Sequence, residues 1–242
     1  MNYTFNTLKL GTMDPYFEKR MQFANDLGFP KLFNFVDHWP LYAGIQNIGR
    51  FLFIFESLKS VAKIPGDVIE LGSWRGANLV WLAKCQIAFG GDKQVHCFDS
   101  FEGLTKFSTN DELSTNGEHI KLKNKYRGSF AELTQIIKLF DLNIEIHKGY
   151  IEETVPKWVE LNHSISFIYF DADLYSPAKT TLDYLAPKLT LGGVILFDEY
   201  GVESWKGETK AVDEFLRNNS DFEVIIPTGC VQPTLMLKKI SS

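Results

Sequence analysis

Short apolar runs alternate with amphipathic stretches from Asp67 onward. Asp67 to Leu71, Gln94 to Asp99, Asn143 to His147, Ile165 to Asp171 and Gly193 to Asp198 are each brief and rich in Val, Ile and Phe. Continuous rather than alternating hydrophobicity over so few residues predicts strands buried on both faces, as in a parallel sheet. Between them, Asn78 to Ala88, Phe130 to Phe140, Val155 to Leu161, Ala178 to Leu189 and Thr209 to Arg217 read as helices, which parallel strands need as right-handed crossovers. This is the pattern of a doubly wound α/β domain. The last part breaks the rhythm. Phe222 to Ile226 and Leu235 to Lys239 flank Pro227-Thr228-Gly229 with no helix between them, which predicts an antiparallel hairpin at the sheet edge.

Residues 1 to 64 read as helical and strongly aromatic, with Phe29, Phe33, Phe35, Trp39, Tyr42, Phe51, Phe53 and Phe55 close together. A helical layer on the sheet accounts for them; a substrate lid or a dimer interface is the second reading, compatible with the first. Residues 102 to 127 carry few large aliphatic side chains and read as a long surface loop.

The 242 residues are 45% hydrophobic and 23% charged, which supports a sizeable core and excludes general disorder. The net charge is −5 and no basic block stands alone: Lys121 to Arg127 follows an acidic stretch with Asp111, Glu112 and Glu118. Nucleic acid is therefore not an expected partner. Cys85, Cys97 and Cys230 are odd in number and far apart, so they are expected as small core residues in a reducing compartment. The amino-terminal residues do not resemble a signal segment, and no apolar run approaches the roughly 18 residues of a membrane span. A soluble, cytoplasmic protein is expected.

Three groups carry chemistry. Glu70-Leu71-Gly72-Ser73-Trp74-Arg75-Gly76 joins the first strand to a helix, where glycines permit a sharp turn and the helix amides favour an electronegative group. Its Gly-x-x-x-Gly spacing differs from the dinucleotide fingerprint, and a turn without a ligand would look the same. Phe98-Asp99-Ser100-Phe101-Glu102-Gly103 ends the second strand, and an acid at that place can accept ribose hydroxyls. A turn or cap aspartate is the plainer reading, but the coincidence with the glycine turn favours a nucleoside. Third, Asp171 and Asp173 follow one strand and Asp198-Glu199 the next. Neighbouring strands lie about 4.8 Å apart, so four carboxylates would gather, repel one another and titrate upward unless a cation or proton intervened. Hard oxygen donors favour Mg²⁺, with Mn²⁺ or Ca²⁺ open, over Zn²⁺. Helix capping and pairing with Lys or Arg is the alternative.

His38, His96, His119, His147 and His163 show no ligand spacing, and His96 and His147 are expected to point out of the core or into local hydrogen bonds. Neither a Gly-x-Ser-x-Gly elbow nor a convincing Cys/His pair supports nucleophilic hydrolysis.

These blocks resemble a class I S-adenosylmethionine-dependent methyltransferase and, within that class, the macrocin O-methyltransferase family. The similarity runs from about Gly66 to Phe215. It covers Glu70-Leu71-Gly72 with Gly76, Phe98 to Leu104, Arg127-Gly128-Ser129-Phe130, Lys148-Gly149-Tyr150 with Glu153 to Pro156, Asp171 to Tyr175, and Leu191-Gly192-Gly193 leading to Asp198-Glu199-Tyr200-Gly201. The resemblance implies a Rossmann-like, seven-stranded, mostly parallel sheet of order 3-2-1-4-5-7-6 with its last strand antiparallel. It implies a methyltransferase domain over 65–242 preceded by the helical lid or interface region, 1–64. It also implies that Glu70, Gly72 and Gly76 line the methionine end of the cofactor, that Asp99 holds the ribose, and that Ser129, Gly149 and Tyr150 lie near the adenine. Ser73, Ser100 and Asp171 join that cofactor-binding set. Mg²⁺ would be held by Asp171, Asp198 and Glu199, with Asp173 as general base beside Asp171. The chain departs from the family at Glu199, where a second Asp is usual.

In methyl transfer a hydroxyl oxygen attacks the sulfonium methyl in line, so the protein aligns the partners and removes the proton. A cation chelated by vicinal hydroxyls would acidify the attacking oxygen, which predicts a diol substrate. The resemblance favours a sugar, a glycosylated metabolite or a polysaccharide precursor over a catechol-like phenol, and a homo-oligomeric enzyme. A nicotinamide-dependent oxidoreductase and a non-catalytic cofactor-binding subunit are the competing readings.

Overall fold

The computed structural model describes residues 44–111, 126–161 and 163–241, together with positions 22, 25 and 26. Helix α1, Ile45–Ser60, precedes strand β1, Asp67–Leu71; α2, Ala77–Ala88, leads to β2, Val95–Asp99. Then come α3, Phe130–Phe140, with β3, Ile144–Lys148; α4, Ile151–Val159, with β4, Ile165–Phe170; and α5, Tyr175–Tyr184, with β5, Leu189–Phe197. Helix α6, Lys206–Asn218, leads to β6, Phe222–Ile225, and β7, Leu235–Lys239.

The seven strands lie in the order β3-β2-β1-β4-β5-β7-β6. The pairs from β3 to β5 are parallel, and β7 runs antiparallel to both β5 and β6. Every residue of β2 and β4 is buried, whereas the edge strands β3 and β6 are mixed. Continuous hydrophobicity thus marks the centre of the sheet, where helices cover both faces.

Alternate residues of each strand serve two cores. Ile69, Ile168 and Ile195 pack with Trp158, Leu182 and Val212 from α4, α5 and α6. Their neighbours Val68, Phe167 and Val194 pack with Ile54, Leu79 and Leu133 from α1, α2 and α3. In α1, Ile54 and Leu58 are fully buried, each contributing roughly 1.5–3 kcal/mol. Phe51 meets Trp81 at 5.1 Å and Phe55 meets Phe89 at 5.0 Å, fixing α1 on α2. Phe29, Phe33, Phe35, Trp39 and Tyr42 lie outside the described residues, as do His38, His119, Glu112, Glu118 and most of the Lys-rich stretch. Among the described residues no helix is long and apolar enough to cross a membrane.

Two helix boundaries differ from the sequence reading because of prolines. Pro156 resembles a first-turn proline, yet α4 begins earlier, at Ile151, with Glu152 and Glu153 in its first turn and Pro156 inside it. Helix α5 spans Tyr175–Tyr184 and stops short of Pro187, after which Leu189 opens β5 rather than ending a helix. A proline within a helix removes an amide donor.

Gly72 shows how closely the strand ends approach. Its φ is +82° and a Cβ there would lie 1.9 Å from the carbonyl oxygen of Asp171. Gly201 has a similar φ, +78°, but open space around it. Gly72→Ala is expected to destabilise the protein by more than about 2 kcal/mol, and Gly201→Ala by about 1 kcal/mol, the left-handed penalty alone. Denaturant melts yielding equal losses would show that crowding at Gly72 is not the constraint.

Candidate active site

The strand order reverses between β1 and β4, and a doubly wound sheet opens a crevice at the carboxyl ends of the strands there. A cleft of about 210 Å³ occupies this place. Gly72, Trp74, Asp99, Ser100 and Tyr150 line one part of it; Asp171, Asp173, Asp198 and Glu199 line another, with Arg50 and Gln232.

Asp99 organises the first part. Its Oδ2 accepts hydrogen bonds from the amides of Ser73 at 2.7 Å and Trp74 at 2.9 Å, and its Oδ1 from the amide of Phe101 at 2.6 Å. Trp74 and Phe101 both have positive φ, 48° and 58°, a conformation that side chains other than glycine adopt at a cost of roughly 1–2 kcal/mol. One carboxylate thus ties together the loops after β1 and β2. The Ser100 hydroxyl donates to the Gly103 carbonyl at 2.9 Å and closes the second loop.

Other expected cofactor residues lie outside the cleft lining. Ser73, Gly76, Ser129 and Gly149 do not line it. Ser129 caps α3, its hydroxyl accepting from the Glu132 amide at 3.2 Å. The Gly76 amide donates to the Ser73 carbonyl at 2.7 Å, and the Gly149 amide to the Asp99 carbonyl at 3.0 Å. Glu70 is buried under the glycine turn, and neither of its side-chain oxygens has a hydrogen-bond partner among the described residues. Burial, and then the charge of Asp99, push its carboxyl up to about 8.

The second part concentrates carboxylates. Asp171 and Asp173 follow β4 and Asp198-Glu199 follow β5; the adjacent register, Phe170 opposite Phe197, brings them together. Burial raises all four. Asp171 goes well above the usual range, aided by Asp198 and Asp173; Asp173 goes to about 8, aided by Glu199 and Asp198; Glu199 goes to about 7, aided by Asp198. Asp198 rises less, since Arg50 and Tyr169 oppose its burial. Asp173 has a φ of +63° and is, after Trp74, the second non-glycine residue lining the cleft in the left-handed region.

Sequence reasoning missed the groups that answer this charge. Arg50 of α1 donates to one Asp198 oxygen and the Tyr169 hydroxyl of β4 to the other. Gln232 donates to Glu199 Oε1 at 2.6 Å, and the Glu199 amide donates to the buried Glu208 at 3.0 Å. Tyr169 was detectable, because a hydroxyl in a strand buried on both faces must find a partner. Among the described residues, Asp171, Asp198 and Glu199 do not form a group of ligand atoms within 4.8 Å of one another; Asp67/His96/His163 and His96/Glu145/His147 do. His96 and His147 take up the local hydrogen bond expected of them, His96 Nδ1 lying 3.0 Å from His147 Nε2. His96 is buried rather than facing outward, and register across the sheet, not spacing along the chain, brings the histidines together.

The sheet order and the helices on both faces define a Rossmann-like methyltransferase fold, shared with a solved calicheamicin methyltransferase, CalS11, at a TM-score of 0.74 and 20% identity over 96% of this chain and 95% of that one. Residues 43–226 match the Macrocin-O-methyltransferase (TylF) family, and the chain belongs to that family of O-methyltransferases. It is 23% identical over 178 residues, 69% of its length, to an 8-demethyl-8-(2,3-dimethoxy-alpha-L-rhamnosyl)-tetracenomycin-C 4'-O-methyltransferase of Streptomyces olivaceus, of which the match spans 66%. It is 24% identical over 199 residues, 76% of its length, to the demethyldecarbamoylnovobiocin O-methyltransferase of Streptomyces niveus, of which the match spans 75%. Membership in this family leaves the nicotinamide-dependent reading without support.

Glu70 links the site to stability. Between its ordinary value of 4.5 and its folded value of about 8 the native chain holds a proton that the unfolded chain releases, so this contribution to stability falls as pH rises through that window. Glu70→Gln, which mimics the protonated form, should melt near the parent protein at pH 4.5 and above it at pH 8. Thermal melts across this range test it; equal midpoints at pH 8 would show that Glu70 carries no buried charge.

Proposed function

We propose that the chain is an S-adenosylmethionine-dependent O-methyltransferase acting on a hydroxyl of a vicinal diol, in a sugar or glycosylated small molecule. The observation that carries the reading is one cleft shared by the Asp99-organised loops and the Asp171/Asp173/Asp198/Glu199 group. The rhamnosyl group in the name of the Streptomyces olivaceus relative favours a sugar.

The residues suit both expected ligands. The unpartnered Glu70 carboxyl with Gly72 and Gly76 suits the charged methionine end, and Asp99 the ribose, while Ser129, Gly149 and Tyr150 are assigned to the adenine end and Ser73 and Ser100 to the loops that support it. Asp99 retains acceptor capacity beyond its three amide bonds. S-adenosylmethionine supplies an already activated methyl group. Asp171, Asp198 and Glu199 are hard oxygen donors, a type that fits Mg²⁺; a cation there would take the place of the protons that burial favours and would acidify a bound hydroxyl. It would compete with Arg50 for Asp198.

This chain's own part is to orient and to move a proton. Asp173, held in a left-handed turn at the cleft wall, accepts the proton from the acceptor hydroxyl. Arg50 withholds or releases Asp198. Because α1 delivers Arg50, residues 1–64 act as the region that shapes the acceptor side, as a lid or as the interface of a homo-oligomer. The three cysteines are free, which suits a reducing cytoplasm.

Labelled S-adenosylmethionine, the full chain and a panel of nucleotide sugars, glycosides and catechols, each with and without EDTA, test the reading. Transfer to a diol sugar, lost with EDTA and restored by Mg²⁺, is expected. Asp198→Ala should lower transfer at least about 100-fold while S-adenosylhomocysteine binding by calorimetry changes little. Transfer to catechols alone would replace the sugar with a phenol, and absence of cofactor binding would overturn the proposal.

A further inference from the structure

A second cluster of ligating side chains lies at the amino-terminal end of the sheet, opposite the cleft. Asp67 opens β1; register pairs Ile69 with His96, His96 with Glu145 and Phe98 with His147. Side chains two residues apart on a strand share a face, so Asp67, His96, Glu145 and His147 all lie on the face that α4 covers. His163, just before β4, stacks flat on Trp158 of α4, with ring centroids 4.4 Å apart and an 8° interplanar angle.

Three donors converge there. Asp67 Oδ2 lies 3.4 Å from His96 Nε2 and 3.2 Å from His163 Nδ1, and the ligand atoms of the three residues lie within 4.8 Å of one another. A tetrahedral zinc ion with bonds of about 2.0–2.1 Å sets its ligand atoms about 3.3–3.4 Å apart, within about 0.1 Å of both measured separations. The remaining nitrogen of His96, Nδ1, is 3.0 Å from His147 Nε2 and 3.6 Å from Glu145 Oε2. A ligating imidazole characteristically donates its other N–H to such an acceptor, which fixes its tautomer. The His96 side chain is 2% exposed and rigidly held, while Asp67 and His163 are 24% and 31% exposed. Solvent therefore reaches the Asp67 and His163 side of the group. Lys93 lies near Asp67, but its ammonium donates to the Val61 and Ile64 carbonyls and to Ser166 Oγ, leaving Asp67 Oδ2 to the imidazoles.

We propose that Asp67, His96 and His163 bind a borderline divalent cation, with Zn²⁺ as the reference ion, which ties the starts of β1 and β2 to the turn entering β4. The site is separate from the hard-oxygen group in the cleft, and its imidazole donors select a different class of metal.

The test uses the full chain without a polyhistidine tag, stripped with EDTA and dialysed, then titrated with Zn²⁺ by calorimetry and with Co²⁺ by visible absorption. We expect one saturable Zn²⁺ per chain, a tetrahedral Co²⁺ band, and a rise in melting temperature that EDTA reverses. His163→Ala and Asp67→Asn should each weaken binding at least tenfold and remove the Co²⁺ band. His163→Gln provides a milder variant of the same exposed ligand, and Asp198→Asn should leave both signals intact. No saturable binding, binding that survives His163→Ala, His163→Gln and Asp67→Asn, or binding lost in Asp198→Asn would each overturn the proposal. None of these readouts depends on methyl transfer.

Discussion

Buried negative charge at the carboxyl ends of β1, β4 and β5 is the constraint on which the site depends. Glu70, Asp171, Asp173, Asp198, Glu199 and Glu208 are each pushed above the usual carboxylate range, first by burial and then by neighbouring acids or, for Asp198, against the pull of its partners. Arg50 is the guanidinium that opposes this in Glu70, Asp171, Asp173, Asp198 and Glu199. Removing ions from water costs several kcal/mol each, so this arrangement does not serve stability. Such clusters are characteristic of functional sites.

The rest of the cleft is built to hold that charge in place. Asp99 uses three acceptor positions on main-chain amides, and those bonds hold Trp74 and Phe101 in conformations they would not adopt alone. Gly72 lets the loop after β1 press against the backbone at Asp171. The loops are thus fastened to one another and to the sheet, and the side chains facing the cleft keep their directions before any ligand arrives.

Much of the architecture was legible in the chain because two-sided burial in a parallel sheet leaves runs such as Ile165–Phe170, which few other environments would favour. The strand-end positions of Asp99, Asp171 and Asp198 were legible for the same reason: once the strands are placed, the next residues are at the rim. Arg50 was not legible, since its partner lies 148 positions away and it sits among the aromatic residues of α1, which speak only of packing. Glu199 and Ser129 were half legible: the sequence located them, but Gln232 and the Glu132 amide, which engage them, became evident only through tertiary contact and cap geometry. The histidines illustrate the same limit. His96 and His147 face one another because β2 and β3 are in a particular register, and sequence spacing carries no record of register.

The placement of β7 has a consequence for how the molecule comes into being. β5 pairs on one side with β4 and on the other with β7, Phe197 opposite Leu235. The outer edge of β5 therefore stays open until the strand near the carboxyl terminus has been made. Pairings between distant parts of a chain form slowly, and the union of Arg50 with Asp198 is among the most distant in this protein. Asp198 and Glu199 end β5, so the surroundings of these acids are complete only once α1 and β7, from opposite ends of the described chain, have both been placed beside it.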